Sequence, residues 1–182
     1  MTAHTHSLAD LPAFTTEEGE AACHVVIETP KGSRNKFTYD EELHLFKLGG
    51  VLPAGHSFPF DFGFIPSTKG GDGDPLDVLV LMDESTFTGC LVEARLIGVI
   101  EAEQREEGET MRNDRLIAVA IDSRNHENVA SLDDLYGNTI DEIEHFFISY
   151  NEIKGKEFKP LGRGESDRAQ QIVEEGMKQQ ET

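Results

Sequence analysis

The run Gly70-Gly71-Asp72-Gly73-Asp74-Pro75-Leu76-Asp77-Val78-Leu79-Val80 places three carboxylates within six residues, the last where an apolar strand begins. Extended backbone would project Asp72 and Asp74 to one side, and Pro75 would redirect the chain so that Asp77 returns toward the same space. Like charges converge at a cost unless a cation joins them, and an all-oxygen donor set favours Mg²⁺, Mn²⁺ or Ca²⁺ over zinc. Taken alone, an Asp/Gly-rich loop is more often a solvated turn. A calcium EF-hand register sets Asp72, Asp74 and Asp83 at the first, third and last loop positions. It fails inside the loop, where Leu76 and Asp77 replace an oxygen ligand and the turn glycine and Val78–Met82 reads as strand. The seven histidines show no paired ligand spacing, and the chain carries no P-loop, dinucleotide fingerprint or nucleophile elbow. Direct attack by water therefore has no covalent competitor. Cys23 and Cys90 lie outside any C-x-x-C and read as free structural thiols.

The elements that must hold these groups are short. Apolar stretches rich in β-branched residues recur at Cys23–Glu28, Lys36–Tyr39, Leu43–Leu48, Asp77–Met82, Leu91–Glu103 and Arg115–Ile121, and their lengths suit strands. Glycine and proline punctuate residues 49–66, which read as loop-rich and curved, while Glu106-Glu107-Gly108-Glu109 reads as a hairpin tip. Such strands imply a small barrel rather than a parallel sheet with crossover helices. Leu132, Leu135, Ile140, Ile143, Phe146, Phe147 and Tyr150 approximate helical spacing, divided at Gly137, with Ser131 as a cap and Asp133 and Asp134 suited to the positive end of the dipole. A second helix is expected over Asp167–Lys178, where Ala169, Ile172, Val173 and Met177 share a face and Ser166 is available as a cap. Residues 1–20, polar and aperiodic, read as a loosely attached arm, and residues 21–182 as one domain.

The chain has 182 residues, with 35 Asp and Glu against 16 Lys and Arg, a net charge of −19. That length suits one domain with a real core. The charge argues against a generic nucleic-acid or anionic-membrane surface, because such binding needs Lys and Arg to displace counterions. No apolar run approaches the roughly 18 residues that span a bilayer. No signal-peptide series opens the chain, so the expected location is cytoplasmic.

Asp72-Gly73-Asp74-Pro75-Leu76-Asp77-Val78 resembles the signature of the soluble family I inorganic pyrophosphatases. Val25-Val26-Ile27-Glu28, Phe58-Pro59, Phe62-Gly63-Phe64-Ile65-Pro66, Leu116-Ile117-Ala118-Val119 and His145-Phe146-Phe147 followed by Tyr150 match in order, so the resemblance covers about Val25 to Met177. It implies a mainly β protein with α elements, an OB-type five-stranded closed barrel flanked by the two C-terminal helices. It also implies Mg²⁺ dependence with Mn²⁺ as a substitute, hydrolysis of pyrophosphate to two phosphates, and a homo-oligomer, a hexamer in bacterial-type members. Carried over by residue, Asp72 and Asp77 would hold metals, Glu28 would face the metal-rich cavity, and either Asn113 or Asp114 would complete the ligand set. Glu101, Glu103, Glu106 and Glu107 compete for a further acidic position. Asp74 would accept a proton from the attacking water. Lys36, Arg115, Tyr150 and Lys156 would meet the substrate phosphates; Lys154, Lys159 and Arg163, which follow the helix, are not carried over but are available as replacement cations.

The chain also departs from the family pattern. Gly49-Gly50 replaces an Asp-Arg pair that carries a phosphate-clamping arginine, Phe58 and Phe62 replace tyrosines, Thr38 a glutamate and Asn151 a lysine. These changes keep two alternatives beside pyrophosphate hydrolysis: a hydrolase of another phosphoanhydride, such as polyphosphate or a nucleotide, and a non-catalytic metal- or phosphate-binding barrel.

Overall fold

Four of the β-branched runs and a fifth, glycine-containing strand close on one another. In a computed structural model, which describes residues 7–15 and 22–181, β1 (Cys23–Thr29) pairs antiparallel with β4 (Asp61–Ile65), and β4 with β5 (Leu76–Leu81). Strand β5 runs parallel to β8 (Arg115–Ala120), β8 pairs with β6 (Leu91–Glu106), and β6 returns to β1, completing the ring. The second half of β6 leaves the ring and pairs with β7 (Glu109–Arg112) and β9 (Glu157–Glu165). β2 (Asn35–Asp40) and β3 (Leu45–Val51) form a separate two-stranded sheet.

The ring strands are apolar on both faces, and their period of two divides them between two cores. Val78 and Val80 of β5, with Leu116 and Ala118 of β8, pack with Ala169, Ile172 and Val173 of α2 (Ser166–Gln180). Leu79, Leu81, Ile117 and Val119 pack instead with Ile140, Ile143 and Phe147 of α1 (Thr139–Ile153). A short 3₁₀ turn at Leu132–Asp134 precedes α1, separated from it by Gly137 at φ 50°. The Asp134 carboxylate accepts the backbone N–H groups of Ala130 and Ser131 and the Ser131 hydroxyl.

Four expectations change. Residues 49–66 are not loop alone: β4 lies inside them, and Gly63 is what admits it, because a Cβ there would sit 2.1 Å from the Val26 carbonyl oxygen. β9 was not expected, since Pro160, Gly162 and Gly164 obscure any alternation, yet pairing with β6 from Gly98 to Arg105 makes it a strand. Ser166 lies within α2 rather than capping it, Glu165 preceding the helix. Residues 7–15, part of the expected loose arm, are docked. Ala9 and Ala13 are buried, the Tyr39 hydroxyl accepts the Leu8 N–H at 3.1 Å, and Phe14 bridges to Cys23. The rest of that arm, 1–6 and 16–20, lies outside the described residues. Cys23 and Cys90 are unbridged, and burial pushes the Cys23 thiol up to about 12.

Candidate active site

A cavity of about 620 Å³ opens between the aspartate run, the β2–β3 sheet and the C-terminal end of α1. Glu28, Lys36, Asp72, Asp74, Asp77, Asn113, Arg115, Tyr150 and Lys156, predicted from sequence, all line it; Asp114 does not. Asp114 Oδ1 instead accepts the Ala102 N–H at 2.9 Å and an Arg112 Nη2 donor at 2.8 Å. Of the two open alternatives, Asn113 lines the cavity and Asp114 does not. Glu101, Glu103, Glu106 and Glu107 are likewise absent from the lining. Glu101 accepts from Arg112 and Arg168, and Glu106 pairs with Lys156 at 2.7 Å.

The aspartates converge by a different route from the expected extended backbone. Residues 70–74 form turns, with the Gly73 N–H on the Gly70 carbonyl (3.1 Å) and the Gly70 N–H on the Asp74 carbonyl (2.7 Å). Gly73 stands at φ 92°, a left-handed position that glycine adopts without strain. Asp72 Oδ1 accepts the Asp74 N–H at 3.2 Å, and β5 then begins with Leu76 and aims Asp77 into the cavity.

Each carboxylate on this side has its own environment. Glu28, on β1, is 9% exposed and its Oε1 accepts the Tyr39 N–H at 2.7 Å. Burial pushes the Glu28 carboxyl up to about 7, with the charges of Asp77 and Asp74 adding to the rise and the Tyr39 N–H and Lys36 opposing it. Burial also raises Asp72, reinforced by Asp77. Asp77 pairs with Arg115 at 2.5 Å. Arg115 also donates to Asn113 Oδ1 and lies 4.8 Å from the Phe147 ring centroid, with its Nε buried and unpartnered. Among the described residues no three His, Cys, Asp or Glu side chains form a ready ligand group. Glu28, Asp72 and Asp77 each have an internal partner.

A hard divalent cation nonetheless fits this wall. The donors are oxygen alone, from carboxylates and one amide, which is the chemistry of Mg²⁺ and Mn²⁺ sites. A cation would also offset the burial that, with the added charge of the neighbouring aspartates, raises the Glu28 and Asp72 carboxyls.

The basic side of the cavity comes from other elements. Lys36 projects from β2 and lies 6.0 Å from the Phe62 and 5.8 Å from the Tyr150 ring centroid. The Tyr150 hydroxyl, near the end of α1, accepts Lys154 Nζ at 2.5 Å. Asn151 is buried and donates to the Phe147 carbonyl at 2.8 Å, a helix-internal role. Thr38, noted in the sequence only as standing in place of a glutamate, also lines the cavity, as do Gln104 and Lys47, which sequence reasoning did not single out. Gln104 had a usable signal as a polar residue following Ala102 on a buried strand face; its Oε1 accepts the Asn113 amide at 3.0 Å.

A family model described as inorganic pyrophosphatase matches residues 25–181. An inorganic pyrophosphatase of Synechocystis is 37% identical over 169 residues, covering 93% of this chain and 98% of that protein. One from Haloferax volcanii is 37% identical over 155 residues, 85% of each chain. The crystal structure of inorganic pyrophosphatase from Thermus thermophilus superposes with a TM-score of 0.87 at 34% identity, covering 97% of this chain and all of that one. An inorganic pyrophosphatase from Helicobacter pylori gives 0.82 at 35% identity, with 88% and 94% covered. Among the described residues no helix is long and apolar enough to cross a membrane.

Proposed function

The chain belongs to the inorganic pyrophosphatase family, and on that premise we propose that its cavity binds pyrophosphate with Mg²⁺ and hydrolyses it to two phosphates. One observation carries the reading: a single cavity gathers Glu28, Asp72, Asp74 and Asp77 together with Lys36, Arg115, Lys154 and Lys156. A small polyanion that arrives with divalent cations needs both sets of charge.

Asp72, Asp77, Glu28 and Asn113 would hold the cation, with Mn²⁺ as a substitute for Mg²⁺. When bound, it supplies the positive charge that acidifies water and neutralises the leaving phosphate. Asp74 is the general base. Among the described residues no hydrogen bond or ion pair occupies its carboxylate, whereas Asp77 is held by Arg115 and Glu28 by the Tyr39 N–H. A carboxylate with open lone pairs would take a proton from the attacking water as its oxygen bonds to one phosphorus and the bridging oxygen–phosphorus bond breaks, the second phosphate leaving with the bridging oxygen. Lys36, Arg115 and Lys156 supply N–H donors and positive charge to the phosphate oxygens, and Tyr150 a hydroxyl. Their part is to bind and align the substrate for in-line displacement, which lowers the barrier without forming a covalent intermediate.

The test is phosphate release by the pure protein with Mg²⁺, from pyrophosphate and, in parallel, from nucleoside triphosphates, polyphosphate and phosphomonoesters. Turnover of pyrophosphate above the others is expected. Turnover of another anhydride alone would move the assignment to that substrate, and metal binding without any turnover would make the barrel non-catalytic.

A further inference from the structure

Five basic side chains line the cavity, and they are not equivalent. Lys47 is held by Asp40 at 2.6 Å, Lys156 by Glu106 at 2.7 Å and Arg115 by Asp77 at 2.5 Å. Among the described residues Lys36 and Lys154 make no ion pair. Both approach the Tyr150 ring, at 5.8 and 4.4 Å from its centroid, so they face a shared aromatic surface with their charge uncompensated by any carboxylate contact. A cation next to a ring keeps a partial electrostatic partner yet remains open to an anion.

Lys154 reaches this place from the end of α1, one turn after Tyr150. There a cation complements the negative end of the helix dipole. Its Nζ donates to the Tyr150 hydroxyl at 2.5 Å. Because an ammonium has no lone pair, the tyrosine oxygen must accept, which leaves the phenolic hydrogen to donate elsewhere. The two groups thereby present adjacent donors to the cavity.

The space that Lys154 uses is set by the neighbouring sheet. Gly50 pairs with Lys36 across β2 and β3, and a Cβ at Gly50 would lie 3.9 Å from Lys154 Nζ. Any side chain longer than a methyl would compete for the position of the ammonium. Gly49 answers a different need, since a Cβ there would meet Thr38 Oγ1 at 2.8 Å. The other candidate cation position beside Tyr150 holds Asn151, whose amide faces the Phe147 carbonyl instead.

We propose that Lys154 is a substrate-binding residue. Its ammonium, in the opening left by Gly50, binds a phosphate group of pyrophosphate and sets Tyr150 as a second donor to it. The proposal rests on the pyrophosphatase reading for its ligand. It predicts that Lys36 and Lys154 together define the phosphate-recognition face, while the paired Lys47 and Lys156 contribute less.

The experiment compares wild type, Lys154→Met, Lys154→Arg and the double variant Gly50→Arg/Lys154→Met. Each is titrated calorimetrically with methylenediphosphonate, a non-hydrolysable pyrophosphate analogue, in the presence of Mg²⁺, and assayed for kcat and KM with pyrophosphate. Lys154 is exposed, so its truncation leaves the core intact, and a melting curve for each variant verifies this. Lys154→Met should weaken analogue binding about tenfold or more, the loss expected for a charged hydrogen bond, and raise KM in step while kcat falls less. Lys154→Arg should return binding to within about threefold of wild type, and Gly50→Arg should recover part of the loss in the double variant. Analogue affinity of Lys154→Met within about twofold of wild type would overturn the proposal, whatever its melting temperature. If the wild type releases no phosphate from pyrophosphate, the functional reading falls, while the analogue titration still decides the role of Lys154.

Discussion

The two sides of the cavity are built on different principles. The acidic side belongs to the ring: Glu28 stands on β1, and Asp77 on β5, whose residues from Val78 to Leu81 are at most 1% exposed. Asp72 and Asp74 are held in a turn by backbone hydrogen bonds. The basic side is peripheral. Lys36 comes from a two-stranded sheet whose Leu45, Leu48 and Val51 are 63, 59 and 56% exposed, and Lys154 and Lys156 come from the stretch where α1 ends. Short carboxylates have little reach, so the barrel backbone must place them. Long lysine side chains can reach one point from several elements, so the chain can replace one cation by another elsewhere.

The comparison can be broken most directly at the acidic side. Chelation of divalent metal should reduce phosphate release to background, with recovery on adding Mg²⁺ or Mn²⁺; activity that survives chelation would remove the reason for the acidic wall. Asp74→Asn should lower kcat by about 10²–10⁴ with an unchanged melting temperature. A rate within about tenfold of wild type would show another group to be the base.

Stability measurements sharpen the contrast between ring and periphery. Gly63→Ala should destabilise by about 3 kcal/mol or more in denaturant unfolding, because its Cβ would collide with β1 backbone that cannot withdraw without opening the ring. Glu28 adds a pH signature in metal-free buffer. Its folded pKa is raised, so between 4.5 and about 7 the folded state binds more protons than the unfolded chain and this group's contribution falls as pH rises. Glu28→Gln keeps the acceptor for the Tyr39 N–H and should flatten that slope, a difference on the order of 2 kcal/mol by neutral pH. Identical pH profiles for the two proteins would remove Glu28 from the strained acidic cluster. Gly50→Ala should change stability by no more than about 0.5 kcal/mol, since its Cβ meets only ordinary contact on a peripheral strand.

Legibility in the sequence followed the range of the interactions concerned. The β-branched runs of β1, β5 and β8 and the two helical patterns were readable because burial on both strand faces leaves a continuous apolar run and burial along one helical stripe leaves a local period. β4 and β9 were not, since glycine and proline masked them and only partner strands far along the chain make them strands. Residues 7–15 were likewise misread as loosely attached, because their apolar contacts lie with Tyr39 and β1.

Asp72, Asp74 and Asp77 were identifiable from chemistry and spacing within a few residues, which is why the acidic wall could be stated from the chain alone. Which of Asn113 and Asp114 lines the cavity needed the fold, since Asp114 is drawn away by the Ala102 N–H on β6. The pairing of Lys154 and Lys156 needed it too, because Glu106, far back in the sequence, holds one while the other stands beside Gly50. A charge's identity is local, but its partner is set by which strands meet. Sequence therefore determined what the site is made of, and tertiary structure decided which of its charges remain available to a ligand.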